Sequence, residues 1–210
     1  MLKIIDYKAG NAPSVMHAVR HLGFAAKFAR EAADLEDATH IILPGVGSAK
    51  ATMDSLSSMD MPAKLEKMVL GKKIPFLGIC VGMQILFEKS QEDEYKCLGW
   101  IDGQVVKFDT NKVRVPQMGW NLVRFIQQTS INPQGDDHYY FVNSYHVVPA
   151  HVSDIWALSN YSGDFVAGIK RDNIYGTQFH VEKSGEAGLG LLRGFLGIDS
   201  RDGHSSKGGK

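Results

Sequence analysis

Three stretches of this sequence hold residue types that could do covalent chemistry. The first is GICVGMQ (residues 78–84), which follows the apolar run IPFL and sets a glycine two residues to either side of Cys80. A cysteine at a sharp strand-to-helix turn, flanked by glycines that spare its neighbours a collision, has the layout of a nucleophile elbow with sulfur in place of oxygen. The helix amino terminus behind it favours thiolate, and the next backbone N–H, that of Val81, points where an oxyanion would form. A thiolate nucleophile needs a base. The second stretch, QFHVEKS (residues 178–184), offers one: TQF continues a strand, so His180 and Glu182 at i and i+2 share a face, and the carboxylate can orient the imidazole. The third is PGVGS (residues 44–48), where Gly45, Val46 and Gly47 would let backbone N–H groups approach a ligand closely. It lacks the lysine and spacing of a phosphate loop. Each stretch alone also has a plain reading: a buried cysteine between packing glycines, a polar strand end, an ordinary strand–helix turn.

The elements that must position these residues alternate in the first half. LKII, HIILPG and IPFLGI read as buried strands, each ending near a glycine or a turn. PSVMHAVRHLG reads as a helix with Val15, Ala18, Val19 and Leu22 on one face, Pro13 in its first turn and Gly23 at its end. Two helical stretches fall near residues 48–57 and 62–70, and a further helix begins just beyond Cys80. Such a pattern implies a parallel sheet with helices on its faces, whose carboxyl edge is where ligands bind. VVKF, NLVRF, YYFVNSY and IWALSNY are short, β-branched and aromatic, and FVAGIK with IYGTQFHVE forms a hairpin around RDN; mixed or antiparallel strands are expected there. Residues 185–196 read as a closing helix.

With 210 residues, 44% hydrophobic and 22% charged, the chain suits one α/β domain. The 23 basic and 23 acidic residues cancel, which gives no argument for nucleic acid or a membrane surface. The apolar runs are too short to span a bilayer, and no signal-peptide pattern opens the sequence, so a cytoplasmic location is expected. Two cysteines make no disulfide framework, and without CxxC or HExxH no metal site is expected. One domain is read over residues 1–198, with a polar, glycine-rich, disordered tail over 199–210.

Taken together and in order, IIDYKAGN, Ser14–Val15, LPGVGS, LGICVGMQ, VPQMGWN, YFVNSY and TQFHVEKS resemble the class I (triad type) glutamine amidotransferases over nearly the whole chain, and most closely the glutaminase subunits of imidazole glycerol phosphate synthases of histidine biosynthesis. The resemblance implies a flavodoxin-like fold with a central, mostly parallel sheet flanked by helices and additional antiparallel strands. It also implies roles: Cys80 as nucleophile, His180 as base and acid, Glu182 as orienting carboxylate; Val81 and the Gly45–Val46–Gly47 segment as oxyanion donors, the segment rearranging before catalysis; Gln84, Glu92, Asn143, Ser144 and Tyr145 around the glutamine; Gln117 and Lys183 near the partner. No metal or organic cofactor is implied. Because one amidotransferase domain fills the chain, ammonia must be consumed on a separate subunit, in the resembled family a TIM-barrel cyclase forming a heterodimer. Val181 stands where the family has proline, and Gln117 and Asn143 where it has histidine.

Two other classes stay open on the residues: a stand-alone cysteine hydrolase, and a binding subunit without chemistry. A paralogous subunit feeding a sugar-amidating enzyme is a further alternative. The remaining histidines read plainly. His17 and His21 occupy a solvated helix face, while His146, His151 and Cys97 are structural.

Overall fold

A computed structural model describes residues 1–132 and 135–197; the expected tail over 199–210 lies outside them. In chain order the strands are β1 (Leu2–Ile5), β2 (Ala26–Ala29), β3 (His40–Gly45), β4 (Phe76–Cys80), β5 (Phe87–Ser90), β6 (Tyr95–Lys96), β7 (Ile101–Lys107), β8 (Gln117–Phe125), β9 (Asp137–Asn143), β10 (Tyr145–Pro149), β11 (Ile155–Asn160), β12 (Asp164–Arg171) and β13 (Ile174–Thr177). The helices are α1 (Ala12–His21), α2 (Ala49–Ser58), α3 (Met61–Glu66), α4 (Val81–Gln84) and α5 (Gly185–Leu196).

Five strands, in the order β2-β1-β3-β4-β13, run parallel and form the centre of the sheet. Every residue of β1, β3, β4 and β13 is buried, as expected of parallel strands covered on both faces. From β13 the sheet continues antiparallel through β12 to β10 and β7, with β11, β8 and β9 branching from β12. The last strand among the described residues, β13, thus lies in the interior of the sheet, between β4 and β12.

Register places the candidate residues on one edge. Gly45 and Cys80 are direct partners at the ends of β3 and β4, and Thr177 of β13 lies beside Ile79. Beyond Thr177 the expected strand stops, and residues 181–183 form a 3-10 turn. Phe179 anchors that turn from below, its ring 4.2 Å from Tyr139 and 5.7 Å from Phe141 of β9. His180 N donates to Tyr140 O at 2.9 Å, and Ser184 Oγ donates to His180 O at 2.6 Å while accepting from Tyr140 N at 3.0 Å. Among the described residues no helix is long and apolar enough to cross a membrane.

Candidate active site

The glycines around Cys80 are required by backbone crossing backbone. A Cβ on Gly78 would sit 2.5 Å from Gly82 O, and one on Gly82 only 2.0 Å from Leu43 O. Gly45, in the neighbouring strand, has the same constraint, with Gly82 N 2.4 Å from the position of its absent Cβ. Three glycines therefore let β3, β4 and α4 meet at one point. Cys80 itself takes φ 55° and ψ −113°, a conformation that L side chains rarely adopt and that tight functional turns retain. The helix beyond it is shorter than the sequence implies: α4 is a single turn of four residues, because Phe87–Ser90 returns to the sheet as β5. A full helix macrodipole at the sulfur is thus not available, and the local N–H groups and side chains around Cys80 carry its electrostatics.

Cys80 is buried, 4% exposed. His180 is hydrogen-bonded to it on one side and, through Nδ1, to Glu182 Oε1 at 2.8 Å on the other. The pairing of His180 with Glu182 was expected from two residues sharing a strand face. It arises instead from the 3-10 turn, which folds the carboxylate back beneath the ring. Val181, where proline was usual, is buried in that turn without disrupting it. Asn11, just before α1, completes the arrangement by donating from Nδ2 to Glu182 Oε1 at 2.7 Å. Burial alone pulls the His180 pKa down, but its hydrogen bonds to Cys80 and Glu182, and their charges, outweigh this and push it up to about 10. Burial pushes the Glu182 carboxyl up, yet the hydrogen bond and charge of His180, with the Asn11 amide, hold it below the ordinary carboxylate range. His180 and Glu182 are thus held as a buried ion pair.

A cavity of about 310 Å³ opens onto the sulfur. Its wall includes Val46, Gly47, Cys80, Val81, Gln84 and Glu92 on one side, and Asn143, Ser144, Tyr145, His180 and Lys183 on the other. Gln84 Nε2 and Asn143 Nδ2 both donate to Tyr145 O, at 3.1 and 3.0 Å. Glu92 accepts from Ala49 N through Oε2 at 3.1 Å, and burial raises its pKa. Gly45 does not line this cavity; it sits under the elbow, where its lack of a side chain serves packing. Val46 and Gly47 do line it. Burial pushes the Tyr7 hydroxyl pKa up, and the hydrogen bond between that hydroxyl and the Val46 backbone acts in the opposite direction, as an N–H donor does.

Gln117, expected at the partner surface, is turned inward and only 3% exposed. It is the direct cross-strand partner of Asn143, so two departures from the family pattern are neighbours on one face of β8 and β9. The exposed positions of β8 are Met118, Trp120, Leu122 and Arg124, set by the alternation of a strand with one wet face. Lys183 is exposed at the cavity mouth. His17 and His21 are exposed on α1, and His146 stacks on Phe108 with ring centres 4.6 Å apart. Asn11 and Gln178, whose amide donates to Cys80 Sγ at 3.6 Å, were given no role from sequence; only their position directly before the first helix and two residues before His180 pointed to them.

A doubly covered parallel sheet with a cysteine elbow and a histidine–carboxylate turn at its carboxyl edge is the layout of a class-I amidotransferase. The glutamine amidotransferase class-I family matches residues 3–196. A solved structure described as a glutamine amidotransferase superposes with a TM-score of 0.76 at 18% identity, covering 93% of this chain and 96% of that one, which bears on the fold alone. Among curated relatives, the imidazole glycerol phosphate synthase subunit HisH of Leptospira interrogans is 40% identical over 204 residues, 94% of this chain and all of that protein. The chloroplastic imidazole glycerol phosphate synthase hisHF of Arabidopsis thaliana is 41% identical over 201 residues, covering 93% of this chain and 34% of that larger protein. The chain belongs to the class-I glutamine amidotransferases and, within them, to the HisH subunits of imidazole glycerol phosphate synthase.

Proposed function

We propose that this chain, read as one domain over residues 1–198, hydrolyses glutamine to glutamate and ammonia and passes the ammonia to a cyclase subunit. The observation that carries the reading is the hydrogen-bonded series Cys80–His180–Glu182 facing a cavity with room for a glutamine. The Cys80 thiolate attacks the side-chain amide carbon, and the Val81 N–H with the 45–47 segment supplies donors to the oxyanion. His180 protonates the departing nitrogen as the C–N bond breaks, leaving a γ-glutamyl thioester on sulfur. His180 then deprotonates water, which releases glutamate. Gln84, Glu92 and the backbone over 143–145 hold the substrate, with the Glu92 carboxylate suited to the α-ammonium group.

Ammonia in neutral water is mostly ammonium and not nucleophilic, so it is best consumed where it forms. The partner is a cyclase of TIM-barrel form that turns ammonia and a ribonucleotide into imidazole glycerol phosphate and an aminoimidazole carboxamide ribonucleotide. The fused Arabidopsis relative supports this pairing. Gln117 and Asn143 are cross-strand partners with buried side chains, so these two departures lie inside the subunit rather than on its outer surface. The test is glutaminase activity of the isolated chain and of its mixture with the cyclase subunit and acceptor ribonucleotide. Activity that rises in the mixture, with acyl-enzyme trapped on Cys80 by a glutamine analogue, is expected. Equal activity without the cyclase, or trapping elsewhere, overturns the reading.

A further inference from the structure

Gln178 is fully buried and has no part in the chemistry above. Its Nε2 donates to Cys80 Sγ at 3.6 Å, and its Oε1 accepts from Gln84 Nε2 at 3.0 Å. Gln84 Nε2 also donates to Tyr145 O at 3.1 Å. A side-chain amide can be turned end for end, so its direction has to be fixed by a partner with no choice. The Tyr145 carbonyl is such a partner, because it can only accept. It fixes the Gln84 nitrogen inward, that nitrogen requires the oxygen of Gln178, and the Gln178 nitrogen is left against the sulfur. Reversing either amide would set donor against donor or oxygen against sulfur.

We propose that Gln178 is a positioning residue for the nucleophile, the middle of a relay running from Tyr145 through Gln84 to Cys80. Its N–H favours the thiolate, because a donor stabilises the charged acceptor more than the neutral one. Its oxygen keeps the Gln84 carbonyl turned toward the cavity's occupant. This second half rests on the glutaminase reading; the first does not.

The experiment uses Gln178→Glu and Gln178→Leu in the full chain, with folding checked by circular dichroism. The readout is the rate of alkylation by iodoacetamide as a function of pH. Cys97 is buried and its thiol is pushed up to about 11, so Cys80 is read alone at lower pH. Gln178→Glu keeps an acceptor for Gln84 but faces the sulfur with a carboxylate; Gln178→Leu removes both. Both variants should move the alkylation midpoint up by about one pH unit, roughly tenfold slower below it. In the complex, Gln178→Glu should lower kcat with KM within about twofold, while Gln178→Leu raises KM as well. A profile that overlays the wild type in either folded variant overturns the relay, whatever the glutaminase assay shows. Shifted profiles in a chain with no glutaminase activity leave the relay standing and count against the functional reading instead.

Discussion

Asn11 lies 171 positions from Glu182, yet its amide holds the carboxylate that holds the imidazole. Asn11→Ala removes a hydrogen bond to a charged group, a loss of about 1.5–3 kcal/mol, so kcat for glutamine hydrolysis in the complex should fall about tenfold or more. Within the proposed chemistry, Cys80→Ala should abolish glutamine-dependent synthesis while synthesis from excess ammonium salt survives; loss of both would make Cys80 structural. Glu182→Gln should cost less than His180→Ala, because one orients and the other moves protons, and parallel glutaminase rates decide it. The raised His180 pKa also has a stability consequence. A group whose pKa is raised on folding contributes fully below its ordinary value of 6.5, and that contribution is lost as pH climbs toward about 10. The lowered Glu182 pKa acts in the other direction, contributing above its ordinary 4.5 and losing its effect as pH falls. Denaturant titrations should therefore show the largest stability gap between wild type and His180→Ala from about pH 5 to 6.5, narrowing toward pH 10. A gap that widens with pH would contradict the ion pair.

The elbow separates two kinds of glycine at the scale of elements. Gly82→Ala forces a Cβ to 2.0 Å from a backbone oxygen that cannot yield, so soluble folded protein should be lost. Gly47 has φ +87° and nothing within 4 Å of an added Cβ, so Gly47→Ala should fold at a cost of about 1–2 kcal/mol of backbone strain, measured by thermal melting. The same segment bears on resting activity. On the mechanism proposed above the Val46 backbone serves the oxyanion, so its hydrogen bond to the Tyr7 hydroxyl competes with that role, and a missing donor costs about 10²–10³ in rate. Tyr7→Phe should accordingly raise glutaminase activity of the isolated chain and leave that of the complex little changed. Much of this scale was legible in the sequence: LKII, HIILPG and IPFLGI are strands, RDN turns a hairpin, and residues 185–196 are the closing helix. What was not legible has local causes. A helix was expected just beyond Cys80, but tertiary pairing takes Phe87–Ser90 into the sheet after one turn. The half-exposed edge strand Ala26–Ala29 lacks a run of β-formers, and the turn beyond Thr177 is imposed by the packing of Phe179 on β9, which no spacing encodes. The contacts of Asn11 and Gln178 are likewise tertiary, so Cys80, His180 and Glu182 could be picked out from sequence as neighbours but not the amides that touch them.

For the whole molecule, β8 and β9 connect the cavity to the outside. Val142 and Asn143 of β9 line the cavity, while Met118, Trp120 and Leu122 of β8 present an apolar row to solvent, with Trp120 56% exposed. On the function proposed above, this row of large apolar side chains beside the cavity suits the cyclase as its partner. Trp120 fluorescence should shift to the blue on addition of that subunit, and Trp120→Ala should weaken the complex by about tenfold or more; an unmoved spectrum would place the cyclase elsewhere. The position of β13 gives the molecule a history as well as a shape. It is made last among the strands but belongs between β4 and β12, so during synthesis the strand that ends in Cys80 stands for a time as an open edge. His180 and Glu182 arrive on the same late segment that closes this gap. Until then Cys80 stands without His180 and Glu182 beside it, so completion of the candidate site and protection of the exposed edge are acquired together.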